Sequence, residues 1–180
     1  MDGALIVSNT QKSIAFFSDM LKAIYCERIV SVSSCSEARR LMYEQDFDIF
    51  IINSPLPDES GEKLASYIVE KTLSQVILVV GSNHYDEVSS KVEDVGVVTV
   101  AKPINRNIFW SALKLAVATH TRLRKIQNEN KKLVQKLSDI KIVNRAKYLL
   151  ITNLKMTESE AHKYIEKQAM DSRMTKKAVA

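Results

Sequence analysis

The feature of the sequence with the clearest chemical meaning is a concentration of lysine and arginine in its last third. Residues 122–180 contain 15 Lys and Arg against 6 Asp and Glu, whereas residues 1–121 contain 11 against 15. Cations at this density attract polyanions such as nucleic acids, although a solvated helix face can have the same composition. The two parts of the chain are therefore expected to have different partners.

Residue patterns that would support catalysis are missing. The sequence has no Ser/His/Asp set, no paired acidic site, no zinc-ligand spacing and no glycine-rich phosphate loop, and it contains only four glycines. Cys26 and Cys35 form no metal-binding or redox spacing, and no secretion signal or membrane-length apolar run is evident. These patterns predict a cytoplasmic protein that is not an enzyme and that uses no metal and no cofactor.

Five short apolar runs alternate with segments of helical periodicity in the first two thirds of the chain. The runs cover residues 4–7, 28–32, 48–52, 75–80 and 97–100, and the helical segments cover 13–24, 36–44, 61–71 and 86–94. Runs that are apolar throughout suit strands buried on both faces. The pattern predicts an α/β domain over residues 1–120, with a five-stranded, parallel, doubly wound sheet whose functional groups lie at the carboxyl ends of the strands.

Two segments of this domain resemble a known family. The run from Asp48 to Gly61, followed later by Val100-Ala-Lys-Pro103, is similar to the receiver domain of two-component response regulators, and the match spans residues 3–120. The resemblance implies a flavodoxin-like sheet. In that family an acidic pair follows the first strand, a phosphoaccepting aspartate ends the third, a Ser or Thr ends the fourth, and Lys-Pro follows the fifth.

Carried over by position, the resemblance places the acidic pair on Ser8 and Asn9, the phosphoacceptor on Asn53 and the hydroxyl on Gly81, and only Lys102 is retained. Phosphoryl transfer needs an anionic nucleophile and a Mg²⁺ held by carboxylates, which these residues do not supply. We therefore expect a receiver that is not phosphorylated and that responds to a regulatory protein or a small ligand. Lys102 is expected to hydrogen-bond Asn53, with binding of a ligand carboxylate or phosphate as the alternative.

A heptad pattern follows the receiver-like part. No Gly or Pro occurs after Asn105, and two interleaved sets of residues recur every seven positions: Leu123, Asn130, Leu137 and Asn144 in one, and Thr119, Ile126, Leu133 and Ile140 in the other. The pattern predicts a helix whose residues 121–142 form a short parallel coiled coil, and hence a homodimer, in which Asn130 fixes the register. An amphipathic helix that folds back on its own domain is the alternative. The expected seam consists of Leu123, Ile126, Asn130, Leu133, Leu137 and Ile140.

Residues 143–180 indicate a small helical module. Thr157, followed by acidic residues, and Thr175 are helix N-caps, and Asp171-Ser172 separates the two helices that they begin. With the end of the long helix, these elements predict a three-helix unit. Its expected core contains Ala146, Leu149, Leu150, Leu154, Ala161, Ile165, Ala169, Met170 and Val179.

The blocks of this module resemble the ANTAR domain of transcription antiterminators. The matching residues are Ala146-Lys147 with Leu149-Leu150, Met156-Thr157-Glu158 with Ala161, Ala169-Met170, and Arg173 with the basic stretch from Lys176 to Ala180. Tyr148 stands where the family usually has glycine. The resemblance implies binding to paired hairpin loops in nascent transcripts, so that a terminator does not form. Loop bases can stack on side chains while cations contact phosphates.

The RNA contacts follow from this resemblance. Lys147, Arg173, Lys176 and Lys177 are the expected phosphate contacts, and Tyr148, Thr157 and Tyr164 are the expected base or sugar contacts, whereas His162 is expected to be a surface residue. The sequence thus predicts a dimeric, RNA-binding antitermination regulator. A pseudo-receiver that acts through protein or DNA contacts is the alternative.

Overall fold

The computed structural model describes residues 1–180, which form two compact units, Met1–Arg124 and Lys125–Ala180. The first unit alternates strands and helices. Its elements are β1 (Gly3–Val7), α1 (Gln11–Lys22), β2 (Arg28–Val32), α2 (Cys35–Glu44), β3 (Ile49–Asn53), α3 (Glu62–Lys71), β4 (Gln75–Gly81), α4 (Tyr85–Val92) and β5 (Val98–Lys102). All five predicted strands and the four predicted crossover helices are confirmed to within two residues at each end.

The five strands form one parallel sheet in the order β2-β1-β3-β4-β5. The strand order reverses between β1 and β3, so the carboxyl ends of these two strands flank a crevice in which ligands bind in folds of this kind. This topology confirms the predicted doubly wound, flavodoxin-like arrangement. It brings the ends of β1, β3, β4 and β5 to one edge of the sheet.

Alternation along each strand divides the core into two layers. In β1, Leu5 and Val7 face one layer, which also contains buried residues of α2, α3 and α4. Ala4 and Ile6 face the other layer, which contains Phe17 of α1 and residues of the long helix that follows β5. Both faces of the central strands β1, β3 and β4 are covered, as their apolar sequences indicated, whereas the edge strands β2 and β5 contain polar residues and are partly exposed.

The helix α5 (Arg106–Leu154) follows β5 and contributes to both units. Asn105 begins it, because the Asn105 Oδ1 accepts hydrogen bonds from the backbone N–H groups of Asn107 (2.9 Å) and Ile108 (3.3 Å). Within the first unit, His120 of α5 lies near the amino ends of β3 and β4: its Nδ1 atom is 3.2 Å from the backbone carbonyl oxygen of Leu73, and its Nε2 atom is 3.0 Å from the Oδ1 atom of Asp48. The predicted long helix is confirmed.

The second unit consists of the rest of α5 with α6 (Glu158–Asp171) and α7 (Lys176–Val179). Thr157 begins α6 with a capping box, in which its hydroxyl accepts from the backbone N–H of Glu160 and the Glu160 carboxylate accepts from the backbone N–H of Thr157. Thr175 caps α7 through a hydrogen bond from the N–H of Ala178. None of the helices combines the length and apolar content that crossing a bilayer requires.

Candidate nucleic-acid interface and receiver pocket

The pocket at the carboxyl edge of the sheet is built from neutral groups. Asn53 ends β3 and Ser8 follows β1, and both side chains are buried. The Nδ2 atom of Asn53 donates a hydrogen bond of 3.0 Å to the Ser8 hydroxyl oxygen, which also accepts from the backbone N–H of Thr10 at 3.3 Å. The amide and the hydroxyl, to which the resemblance assigned the phosphoacceptor and part of the acidic pair, thus bind each other at this edge of the sheet.

Lys102 does not form the expected hydrogen bond to Asn53. Its Nζ donates instead to the backbone carbonyl of Ser54 at 2.5 Å, and the Oδ1 atom of Asn53 is buried without a hydrogen-bond partner. The prediction was wrong because the carbonyl one residue beyond Asn53 takes the ammonium group, while the amide turns its NH₂ toward Ser8. Burial lowers the pKa of Lys102.

The remaining pocket positions also lack a charge that could hold a divalent cation. Asn9 is exposed, and its Oδ1 accepts a hydrogen bond of 3.1 Å from the Thr10 hydroxyl. Gly81 ends β4 opposite Lys102 of β5, and a Cβ at Gly81 would meet no atom within 4 Å. A magnesium ion prefers carboxylate oxygens. The donors at these positions are amides, a hydroxyl and an ammonium group, so they do not fit Mg²⁺.

The two carboxylates of the loop after β3, those of Asp58 and Glu59, bind groups of α2. Asp58 accepts hydrogen bonds from the N–H groups of Cys35 (3.0 Å) and Ser36 (2.9 Å) and from the Ser36 hydroxyl (2.7 Å), which lower its pKa to about 2. Glu59 pairs with Arg39. Burial, together with the nearby carboxylates, raises the pKa of the Cys35 thiol to about 12. The three groups lie close together, but each carboxylate already has partners and a neutral thiol is a weak ligand.

The expected dimer seam forms an apolar stripe on α5. Ile126, Leu133, Leu137 and Ile140 are 43% to 60% exposed, Asn130 is exposed, and Leu123 is half-buried. Ile140 also lines a cleft of its own helical unit, described below. An exposed stripe at heptad spacing is what a coiled-coil seam presents in a separate chain.

The core of the second unit is smaller than the sequence indicated. Ala146, Ala161, Ile165 and Ala169 are buried. Leu149, Leu154 and Met170 were expected in this core and are 50% to 77% exposed, so that part of the prediction was wrong. Leu149 and Leu154 line an open cleft among the helices, so no other part of the chain covers their side chains.

Three of the four expected phosphate contacts already have an acidic partner within the chain. The Nζ atoms lie 2.6 Å from a carboxylate oxygen in the pair of Lys147 with Glu158, 2.5 Å in that of Lys176 with Glu166, and 2.7 Å in that of Lys177 with Asp139. The lysine hydrogen bonds lower the pKa of all three carboxyls. Lys147 is the least exposed of these three lysines, with 17% of its side chain accessible to solvent.

The other expected contacts differ in accessibility. Arg173 is exposed and adopts a left-handed backbone conformation, with φ of 54°, in the turn after α6. Tyr148 and Tyr164 are 66% and 44% exposed, so both rings are available for stacking. Thr157 is exposed, but its hydroxyl takes part in the capping box.

Two open clefts lie among the three helices of the second unit. One has a volume of about 370 Å³ and is lined by residues that include Asn144, Lys147, His162, Thr175, Lys176 and Lys177. The other has a volume of about 280 Å³ and is lined by apolar residues together with Tyr164, Asn153 and Gln168. Sequence reasoning had not placed His162 or Asn144 with the basic residues. For Asn144, helical spacing could have indicated its position, because Asn144 lies one turn from Ile140 and three residues from Lys147.

Comparison with known proteins supports a regulatory role for this arrangement. Residues 131–180 match the family model of the ANTAR domain. The chain is 30% identical over 164 residues to the transcriptional regulatory protein PdtaR of Mycobacterium tuberculosis, and the match covers 91% of this chain and 80% of that protein.

Solved structures match the first unit. A receiver domain of an HD domain-containing protein from Pseudomonas fluorescens aligns with a TM-score of 0.60 at 17% identity, covering 69% of this chain and 92% of that structure. A CheY-like response regulator receiver domain from Methanospirillum hungatei aligns with a TM-score of 0.59 at 18% identity, covering 68% and 98%. At this identity the likeness shows the fold.

Proposed function

This chain belongs to the response regulators that join a receiver domain to an ANTAR domain and regulate transcription, and from that premise we propose that it acts by binding RNA. The observation that carries the proposal is the second unit, which matches the ANTAR model and places three lysines around one cleft and Tyr164 beside the other. Phosphate contacts supply affinity for RNA, and stacking on aromatic rings suits unpaired loop bases. The RNA target is a hairpin loop in a nascent transcript.

The proposed mechanism is antitermination by a dimer. Two chains associate through the apolar stripe of α5, with Asn130 paired across the seam, and each ANTAR domain takes one hairpin loop. Tethering the second module to the first raises its effective concentration at the neighbouring loop. Holding both hairpins prevents the alternative pairing of a terminator. Such a regulator works where transcripts are made, which in a bacterium is the cytoplasm.

The receiver, in this proposal, responds to a binding partner or small ligand rather than to phosphorylation. Asn53 is a poor nucleophile, and Ser8 beside it brings no charge for a metal ion. A buried, unpartnered oxygen on Asn53 and the ammonium group of Lys102 are the groups that a ligand could engage.

The proposed function is tested by recovering the RNA that the protein binds. The full-length chain is crosslinked in cells of its own organism, purified, and the attached RNA is sequenced. The proposal predicts enrichment of leader regions that contain two adjacent hairpins followed by a terminator. Recovery of coding sequence in proportion to transcript abundance, with no such leader enriched, would contradict it.

A further inference from the structure

We propose that the cleft lined by Asn144, Lys147, His162, Thr175, Lys176 and Lys177 is a phosphate-binding site for the RNA backbone, and that Asp139 and Glu166 are built-in competitors that occupy its lysines in the free protein. This inference rests on the proposed function, because it assigns a site for the same ligand. The bound group is a phosphodiester, and the residues it adds to those expected from sequence are His162, Asn144 and the two carboxylates.

The carboxylates show where anionic oxygens bind in this cleft. Lys176 and Lys177 are neighbours in α7, yet they pair with acids from two different helices, Glu166 of α6 and Asp139 of α5, at 2.5 and 2.7 Å. His162 faces the same carboxylate, with its Nε2 atom 3.7 Å from the Oε2 atom of Glu166. A single phosphate has enough oxygens to accept hydrogen bonds from both ammonium groups and from the imidazole. In the free protein, two separate carboxylates share these three groups.

Within the second unit, lysine ion pairs occur only at the cleft. Exposed cations elsewhere on its part of α5 form no ion pair; they include Lys131, Lys132, Lys136, Lys141 and Arg145. The lysines that line the cleft, by contrast, all pair with acids. Three of the six acidic residues in positions 122–180 thus pair with the lysines of the cleft.

The competition is weak enough for RNA to win. The paired side chains of Lys176, Lys177, Glu166 and Asp139 are 39% to 44% exposed, and an exposed ion pair changes an equilibrium constant by no more than about fivefold. A phosphate held in place by the rest of the RNA can therefore displace the carboxylates into solvent. Loss of either carboxylate should strengthen phosphate binding, whereas a purely structural role for the pairs, tethering α7, predicts the opposite.

A first experiment needs no RNA. The ring resonances of His84, His120 and His162 in the full-length protein are followed by NMR while sodium pyrophosphate is added, with sodium chloride at matched ionic strength as the control. We expect a saturable shift of His162 and none of His84 or His120, which lie in the receiver unit. Equal shifts with chloride, or none at His162, would overturn the inference.

Charge variants then separate competition from tethering. Asp139→Asn and Glu166→Gln should each tighten pyrophosphate binding by roughly two- to fivefold. Asp171→Asn makes the same change in net charge at an exposed acid with no ion pair and should have a smaller effect. Weaker binding by Asp139→Asn and Glu166→Gln, or an effect equal to that of Asp171→Asn, would refute the competitor role.

Binding to hairpin RNA by the same variants distinguishes this inference from the function on which it rests. If the wild type binds two-hairpin RNA but His162→Ala and Asn144→Ala bind it equally well, the cleft is not the phosphate site and the proposed function stands. If the wild type binds hairpin RNA no better than scrambled RNA, the proposed function fails, whatever pyrophosphate does. We expect wild-type binding and a loss of several-fold in both alanine variants.

Discussion

Arg173 is held in a strained turn, and replacing it should separate stability from RNA binding. The turn that ends α6 has the hydrogen bonds of a Schellman motif, from the N–H of Arg173 to the carbonyl of Met170 (3.2 Å) and from that of Met174 to the carbonyl of Ala169 (2.9 Å). Arg173 occupies the left-handed position, with φ of 54°. Glycine is the usual residue there, because a side chain in this conformation costs roughly 1–2 kcal/mol.

The structure gives the size of the expected effect. Arg173→Gly removes the energetic cost of the left-handed conformation. It also raises the conformational entropy of the unfolded chain, which offsets roughly 0.5–1 kcal/mol of that stabilisation. A net stabilisation of about 0.5–1 kcal/mol remains, which corresponds to a few degrees in the melting temperature of a unit this small. Arg173→Ala keeps the strain and should leave stability nearly unchanged. Both variants lose the charge and should weaken RNA binding, with a log–log salt slope shallower by about one unit.

Tyr25 provides a matched control for this prediction. It has a φ of 57° after α1 and the same pair of hydrogen bonds, from the N–H of Tyr25 to Lys22 and from that of Cys26 to Leu21. Tyr25→Gly should stabilise the receiver unit by a similar amount and leave RNA binding unchanged. Stability is measured by amide exchange on the full chain, and RNA affinity by fluorescence anisotropy over a salt series. If Arg173→Gly is stabilised but keeps the wild-type RNA affinity, Arg173 does not contact the RNA. If Arg173→Gly is no more stable than the wild type, the left-handed conformation of Arg173 is not strained.

Three further predictions concern the rest of the chain. The protein should gain no phosphoryl mass when incubated with Mg²⁺ and a small phosphodonor, and Asn53→Asp alone should not restore phosphorylation, because the metal ligands are still missing; an adduct on the wild type would disprove this. Leu133→Asp should convert a dimer into a monomer in light scattering at micromolar concentration, and a monomeric wild type would remove the coiled coil. The pKa of Asp58 is about 2 in the folded chain against 3.8 ordinarily. The ionised carboxylate therefore stabilises the fold above pH 4, and this stabilisation is lost as the pH falls toward 2. The stability difference between the wild type and Asp58→Asn should therefore shrink over that interval, and a difference independent of pH would contradict the assignment.

The sequence predicted the architecture well because the signals were repeated and local. Each strand of the sheet contains a short run rich in β-branched or aliphatic residues, and both caps of the small helices, Thr157 and Thr175, are side chains that hydrogen-bond within three residues. The positions of Ser8 and Asn53 followed from strand ends that meet at one edge of the sheet. Such features depend on neighbours in the sequence or on simple topology.

What the sequence did not predict depends on distances between elements. The choice of Lys102 between the amide of Asn53 and the carbonyl of Ser54 is set by side-chain orientation across three strands. The pairing of Lys177 with Asp139 joins residues far apart in the chain, so composition suggested free cations where the structure has ion pairs. Leu149 is exposed because it lines an open cleft between helices, and the periodicity of one helix does not show how completely its neighbours cover it.

RNA recognition by the second unit is the central claim, and one competition measurement tests it most directly. The full chain is presented, in the same salt, with an RNA containing two hairpins in their natural spacing, with each hairpin alone, with a scrambled RNA and with duplex DNA of equal charge. We expect the two-hairpin RNA to bind at least ten times more tightly than either single hairpin, because tethering makes the second contact intramolecular. Scrambled RNA and DNA should bind more weakly still. Equal affinity for all five nucleic acids would reduce the tail to a non-specific basic surface and contradict the account.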